Sequence, residues 1–142
     1  MNPATIARAA ELGGRILIAA IFLVSGVGKL GAWAATQQYM ASQGVPGALL
    51  APVVAIEIGG AALVIAGLWT RLAATALAAF TLLAAVLFHA SLGDQLQQIM
   101  FLKNLAIAGG FLVLAANGAG AWSLDARIGT WSRRGVTQGA SS

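Results

Sequence analysis

The chain has 142 residues, of which 59% are hydrophobic and 8% charged, with no cysteine and a formal net charge of +4. Soluble domains carry about 25% charged residues, so this composition cannot cover a water-facing surface and points to the membrane class. The lack of cysteine excludes disulfides, thiolate metal sites and dithiol redox chemistry within the chain. The basic residues are few and scattered between oily segments, so despite a pI near 10.8 they read as reporters of membrane orientation rather than as a nucleic-acid surface.

Four apolar segments follow one another, at about 15–33, 48–69, 71–92 and 97–117. Each is close to the ~20 residues that span a bilayer as a helix. Only helices or closed barrels satisfy their backbone in lipid, and no strand-like alternation competes. The expected fold is therefore all-α: an integral membrane antiparallel four-helix bundle forming one domain. Arg8 and Arg15 ahead of the first segment, with Ala32-Trp33-Ala34 after it, resemble a signal peptide. The apolar stretch is too long for that, and Lys29 stands before the supposed site, so the segment is read as an uncleaved span.

The first connection carries Trp33, Tyr39 and Met40 among polar residues and ends on Gly44-Val45-Pro46, which predicts a short interfacial helix. Pro52 falls just inside the second span, where it can kink the first turns. Thr70 reads as the N-cap of the third span, and Asp94 and Gln97 have capping-box spacing before the fourth. These loops are short, so neighbouring helices run antiparallel. Beyond Asn117, Leu124, Ile128 and Trp131 share one helical face, which predicts a cytoplasmic amphipathic helix over 123–134, followed by a disordered tail at 135–142. With both termini cytoplasmic, Arg8, Arg15, Arg71, Arg127, Arg133 and Arg134 all fall inside and neither outer loop holds a lysine or arginine, the arrangement the positive-inside rule favours.

Four ionisable residues remain within or beside the spans: Lys29, Glu57, His89 and Lys103. This topology places all four in the outer half of the membrane, with Glu57 about 13 Å below the outer end of its helix at 1.5 Å per residue. Charged residues at such depth cost about 2.5–3.5 kcal/mol each on insertion scales, so several at one level suggest a shared polar site. Either lysine can pair with Glu57, leaving the other for an anionic or polar ligand. Ser25 lies one turn from Lys29 on the same face, and Asn104 follows Lys103. The plainer readings are a snorkelling Lys29, a hydrated His89, and structural ion pairs for Glu57 and Lys103. One histidine and one glutamate fall short of a metal site, and no phosphate loop or nucleophile elbow is present.

The runs GRILIAAIFLVSGVGKL, VVAIEIGGAALVIAGLWTRLAA, AVLFHASL and MFLKNLAIAGGFLVLA, closed by WSLDAR, together resemble the DoxX family over roughly Arg15 to Arg127. The resemblance implies a small bacterial inner-membrane protein with four spans. It associates the chain with terminal quinol oxidase and thiosulfate:quinone systems, with other membrane oxidoreductase complexes, and with responses to quinones or oxidative stress. By position it marks Ser25, Gly28, Lys29, Glu57, His89, Lys103 and Asn104. The third loop is short and the extra soluble parts of thiosulfate-type members are missing, so thiosulfate oxidation by this chain alone is not expected.

Two functions stand against each other. One is a membrane subunit of a redox-linked, quinone-associated system, with no covalent cofactor and a quinone as the candidate ligand. The other is a non-catalytic assembly or scaffold protein for a membrane oxidoreductase complex. A transporter fits less well, because the polar residues gather in one half instead of lining a path. Expected partners are the lipid bilayer, a redox protein and a second copy of the chain, with no nucleic acid. Whether the chain is catalytic, and on what, stays open at this level.

Overall fold

The computed structural model describes residues 2–129, and the predicted tail at 135–142, together with Trp131, Arg133 and Arg134, lies outside them. Five α-helices follow in order: α1 Pro3–Gly31, α2 Trp33–Ser42, α3 Leu50–Ala66, α4 Thr70–Phe88 and α5 Gln95–Asn117, with a 3-10 turn Gly47–Leu49 leading into α3. Among the described residues α1, α3 with its leading turn, α4 and α5 are each long and apolar enough to cross a membrane. There is no strand among them.

α1 starts earlier than its apolar run. Asn2 caps it by accepting from the Ala4 N–H at 3.0 Å, and Pro3 sits at the first helical position, where its missing N–H costs nothing. At 1.5 Å per residue this helix is about 43 Å long, more than the ~30 Å of hydrocarbon that one crossing requires. It breaks at Ala32, and α2 follows as the predicted loop helix. Pro52 lies in the first turn of α3, a position that tolerates proline. α3 closes on Gly67 in the left-handed conformation (φ +67), with the Leu68 N–H returning to Leu63 O at 3.0 Å.

Helix α1 packs on α3, α3 on α4 and α4 on α5. The main core is small and aromatic: Ala19, Phe22, Ala61, Val64, Ala73, Ala74, Leu77, Ala78 and Phe111. Phe22 meets Phe111 and Phe80 edge to face, at 5.4 and 6.4 Å. Alanines along α4 let its neighbours approach closely. A second cluster, Met40, Leu50 and Val54, lies at the α2 end, with Phe88 packed against it and Tyr39 stacked on Phe88 at 5.7 Å. The large apolar side chains left exposed on all four spanning helices are the lipid-facing surface.

The opposite end is tied by residues 118–129. Asp125 accepts the N–H of Trp69 at 2.8 Å and of Thr70 at 3.0 Å, and its own N–H returns to Gly67 O at 2.8 Å. The cap of α4 therefore comes from 55 residues away, and Thr70 is the first helical residue rather than the expected N-cap. Trp69 cannot cap by side chain, and it holds a left-handed backbone (φ +47) unusual for a residue with a Cβ. Arg15, read from sequence as the first residue of the first span and counted among the cytoplasmic-side charges, is 2% exposed, and its Nη2 donates to Trp122 O. The predicted C-terminal surface helix is helical over 124–129, started by Ser123 Oγ accepting from the Ala126 N–H at 3.1 Å. Leu124 and Ile128 are exposed there, as an interfacial face requires.

Candidate functional site

Ser25 and Lys29 lie one turn apart on α1, and Glu57 lies two turns into α3. Gly26 allows the two helices to touch at this level: a Cβ built on it would stand 2.6 Å from Ile58 Cγ1 and 3.3 Å from Glu57 Cβ. Gly28, also marked by resemblance, has open space around it and is not needed for packing. Lys29 Nζ donates to Glu57 Oε1 at 2.8 Å and to Ser25 Oγ at 2.5 Å, and Ser25 Oγ donates to the same Oε1 at 3.0 Å. The Glu57 side chain is 5% exposed and that of Lys29 is 25%. The Glu57 carboxyl group is thus desolvated, while the Lys29 side chain paired with it retains some access. Glu57 Oε2 is buried with no hydrogen-bond partner.

These three residues form part of the wall of a cavity of about 480 Å³ enclosed by α1, α2, α3, α4 and α5. It separates the two clusters of the core, with Phe22 and Phe80 toward one and Met40 and Val53 toward the other. Its volume lies within the range of small-molecule pockets, and an apolar wall with few polar groups is their usual composition.

The other sequence candidates line the same cavity without joining the triad. Asn104 is half-buried on the α5 wall. Lys103 is exposed, and its Nζ reaches Met100 Sδ at 3.3 Å; the partner of Glu57 is therefore Lys29, which closes the choice the sequence left open. His89 is not within a span: α4 ends at Phe88 and His89 is its C-terminal cap residue. Its Nδ1 lies 2.8 Å from Gln97 Oε1, across the α4–α5 loop. With Gln97 engaged there, only half of the expected capping box forms: Asp94 Oδ1 accepts from the Leu96 N–H at 2.8 Å and the Gln97 N–H at 3.4 Å.

Thr36, Tyr39 and Met40 of α2, and Thr81 of α4, also line the cavity and were not read from sequence as site residues, although Tyr39 and Met40 marked the loop helix. Thr81 was readable as a hydroxyl within an apolar stretch, and it returns its proton to Leu77 O at 2.6 Å. The α2 residues carried no such signal, because a loop helix shows what it covers only once folded.

The DoxX family model matches residues 10–90. The inner membrane protein YqjF of Escherichia coli (strain K12) is 47% identical over 111 residues, covering 78% of this chain and 85% of its own. The inner membrane protein YphA of the same strain is 41% identical over 120 residues, covering 80% and 86%. No solved structure matches the chain significantly. On its four apolar helices, its family match and these relatives, the chain is a multi-pass inner-membrane protein that belongs to the DoxX family.

Proposed function

We propose that the protein is a membrane subunit that holds the polar head of a lipid-soluble ring compound, of the quinone class, between α1, α3, α4 and α5. The observation that carries this reading is the desolvated Lys29–Glu57–Ser25 triad set in the wall of a mostly apolar 480 Å³ cavity. A soluble polar substrate would need more polar contacts than these walls supply. A bound quinone would supply two-electron, two-proton redox chemistry, with electrons passed to or from a redox protein in the same membrane. The chain's own residues would bind and manage protons: Lys29 as donor, Glu57 as proton acceptor, and His89 with Gln97 at the nearer membrane surface as a relay. Lys103 and Asn104 would hold the far side of the head.

Orientation follows from charge. Arg15 and Arg71 lie at the end closed by residues 118–129, together with the α1 terminus that carries Arg8, so that end is assigned to the cytoplasm. The cavity then lies toward the outer surface.

A second reading has one specific observation in its favour. The Lys29–Glu57 pair joins α1 to α3 and would fix their register in a protein that only assembles others. Titration of decylubiquinone into purified protein separates the two. On the ligand reading, Glu57→Gln abolishes binding while the variant stays folded and monodisperse. Loss of stability or partner recovery, with binding unchanged, supports the scaffold.

A further inference from the structure

Arg71 is the second residue of α4, and it is exposed. The chain has four acids in all, Glu11, Glu57, Asp94 and Asp125, and none of them pairs with it. Glu57 is held by Lys29, and Asp94 caps α5 at the far end of α4. Asp125 accepts the Trp69 N–H on one oxygen and the Thr70 N–H on the other. Glu11 lies against Gly120 and faces the charge of Arg15. Arginine keeps its charge in any protein setting, so no acidic side chain of this protein supplies the counter-charge of Arg71.

The guanidinium lines an open cleft of about 590 Å³ between the start of α4 and the turn after α5, with Trp69, Leu72, Gly118 and Ala119 around it. Its Nε and Nη2 stand 3.6 and 3.9 Å from where a Cβ on Gly118 would lie, so the fork reaches across from α4 to that turn. A membrane-spanning helix begins here, and Trp69 and Leu72 are both exposed. Tryptophan at the end of a span sits among lipid head groups. From Leu72 an exposed apolar face runs along α4 through Leu83 and Val86, at whole-turn spacing. We infer that this cleft holds one anionic phospholipid of the leaflet at the clasp end. Its phosphodiester takes the Arg71 fork, its glycerol region lies against Trp69, and an acyl chain follows Leu72, Leu83 and Val86. Bidentate pairing with phosphate is what a guanidinium fork provides, and basic clefts at the ends of spans are sites for anionic head groups. Arg8, Arg15, Arg71 and Arg127 lie at this end against Glu11 and Asp125, a balance that favours a head group of net negative charge over a zwitterion. The site is separate from the cavity and stands whether or not the cavity holds a quinone.

The test titrates purified full-length protein in detergent with phosphatidylglycerol and, separately, with phosphatidylcholine of the same acyl chains, and counts bound lipid per chain by native mass spectrometry. Phosphatidylglycerol is expected to fill one site per chain with about tenfold higher affinity or more, as hydrogen bonds between charged groups give. Arg71→Gln should bring that ratio toward unity. Arg8→Gln, which removes the same charge from the exposed start of α1, should change it by less than about twofold, because separated surface charges are screened. The main comparison uses the wild-type protein, so a variant that fails to fold does not spoil it. Equal affinity of the wild-type protein for the two lipids would overturn the inference. Equal losses from the two variants would also overturn it, since they would mean a diffuse basic field without a site. Displacement of the bound lipid by millimolar inorganic phosphate would reassign the cleft to a free anion. A wild-type dimer that Arg71→Gln dissociates, with the lipid ratio unmoved, would give the cleft to a second copy of the chain and overturn the lipid assignment as well.

Discussion

Asp125 accepts the Thr70 N–H at 3.0 Å and the Trp69 N–H at 2.8 Å, so the N-terminus of α4 is capped by a carboxylate 55 residues further along the chain. The same segment holds Arg15 through Trp122 O. Three spans are thereby tied together at the end opposite the cavity: α1 through Arg15, and α3 and α4 through Gly67, Trp69 and Thr70. Movements that open or close the cavity are expected at the α2 end, where the contacts are Tyr39 on Phe88 and the Lys29–Glu57 pair.

Replacing Asp125 with alanine should cost about 1–2 kcal/mol, the upper part of the range for N-caps, because two N–H groups lose their acceptor at once. Thermal unfolding in detergent measures this, and Asp125→Asn should lose less because one oxygen acceptor remains.

The clasp should also be lost in acid. Burial alone would raise the Asp125 carboxyl, but the N–H groups of Thr70 and Trp69 and the nearby Arg15 charge outweigh it and hold it below its ordinary value of 3.8. A group whose folded value is depressed contributes stability above its unfolded value and loses it as pH falls through the folded one. Wild-type stability should therefore drop as pH is lowered below about 4, and Asp125→Ala should show a shallower decline over the same window.

The two lysines should behave differently. Lys29→Met leaves Glu57 buried without its cation and should cost about 2–3 kcal/mol, below the 3–5 typical of fully buried pairs because Lys29 is partly exposed. Adding Glu57→Gln should recover a large part of that loss. Lys103→Met, which gives up only a weak contact to Met100 Sδ, should change stability by less than about 0.5 kcal/mol. Chemical or thermal unfolding of the three variants decides between this and an equal role for both lysines.

Gly26→Ala should weaken the site from behind. The added Cβ would meet Ile58 at 2.6 Å, pushing α1 from α3 and separating Lys29 from Glu57. A loss of about 1–3 kcal/mol is expected, with partial rescue by Ile58→Ala, which removes the atoms in the way. A double-mutant cycle measures the coupling.

How far these features could be read from residues alone depends on how local they are. The spans were legible because a bilayer demands a continuous apolar run, and the common level of Lys29, Glu57, His89 and Lys103 followed from counting along such runs. The loop helix was legible from Trp33 to the Gly44 turn for the same reason. Which lysine meets Glu57 was not legible, because it depends on helix rotation, and Gly26 against Ile58 sets that rotation only after packing. Arg15 and Asp125 were missed as partners in a clasp because their contacts lie 107 and 55 residues away. The sequence also offered a false local answer: Thr70 looked like an N-cap, which removed any reason to seek a distant acceptor for the start of α4.

The most direct test of the account is a structure of the protein extracted from its native membrane with its bound molecules retained. The account predicts Lys29 Nζ within 4 Å of Glu57, and a non-protein molecule with a polar atom within hydrogen-bond distance of Lys29 Nζ. A cavity filled by acyl chains alone, or a Glu57 turned toward lipid with Lys29 elsewhere, would contradict it.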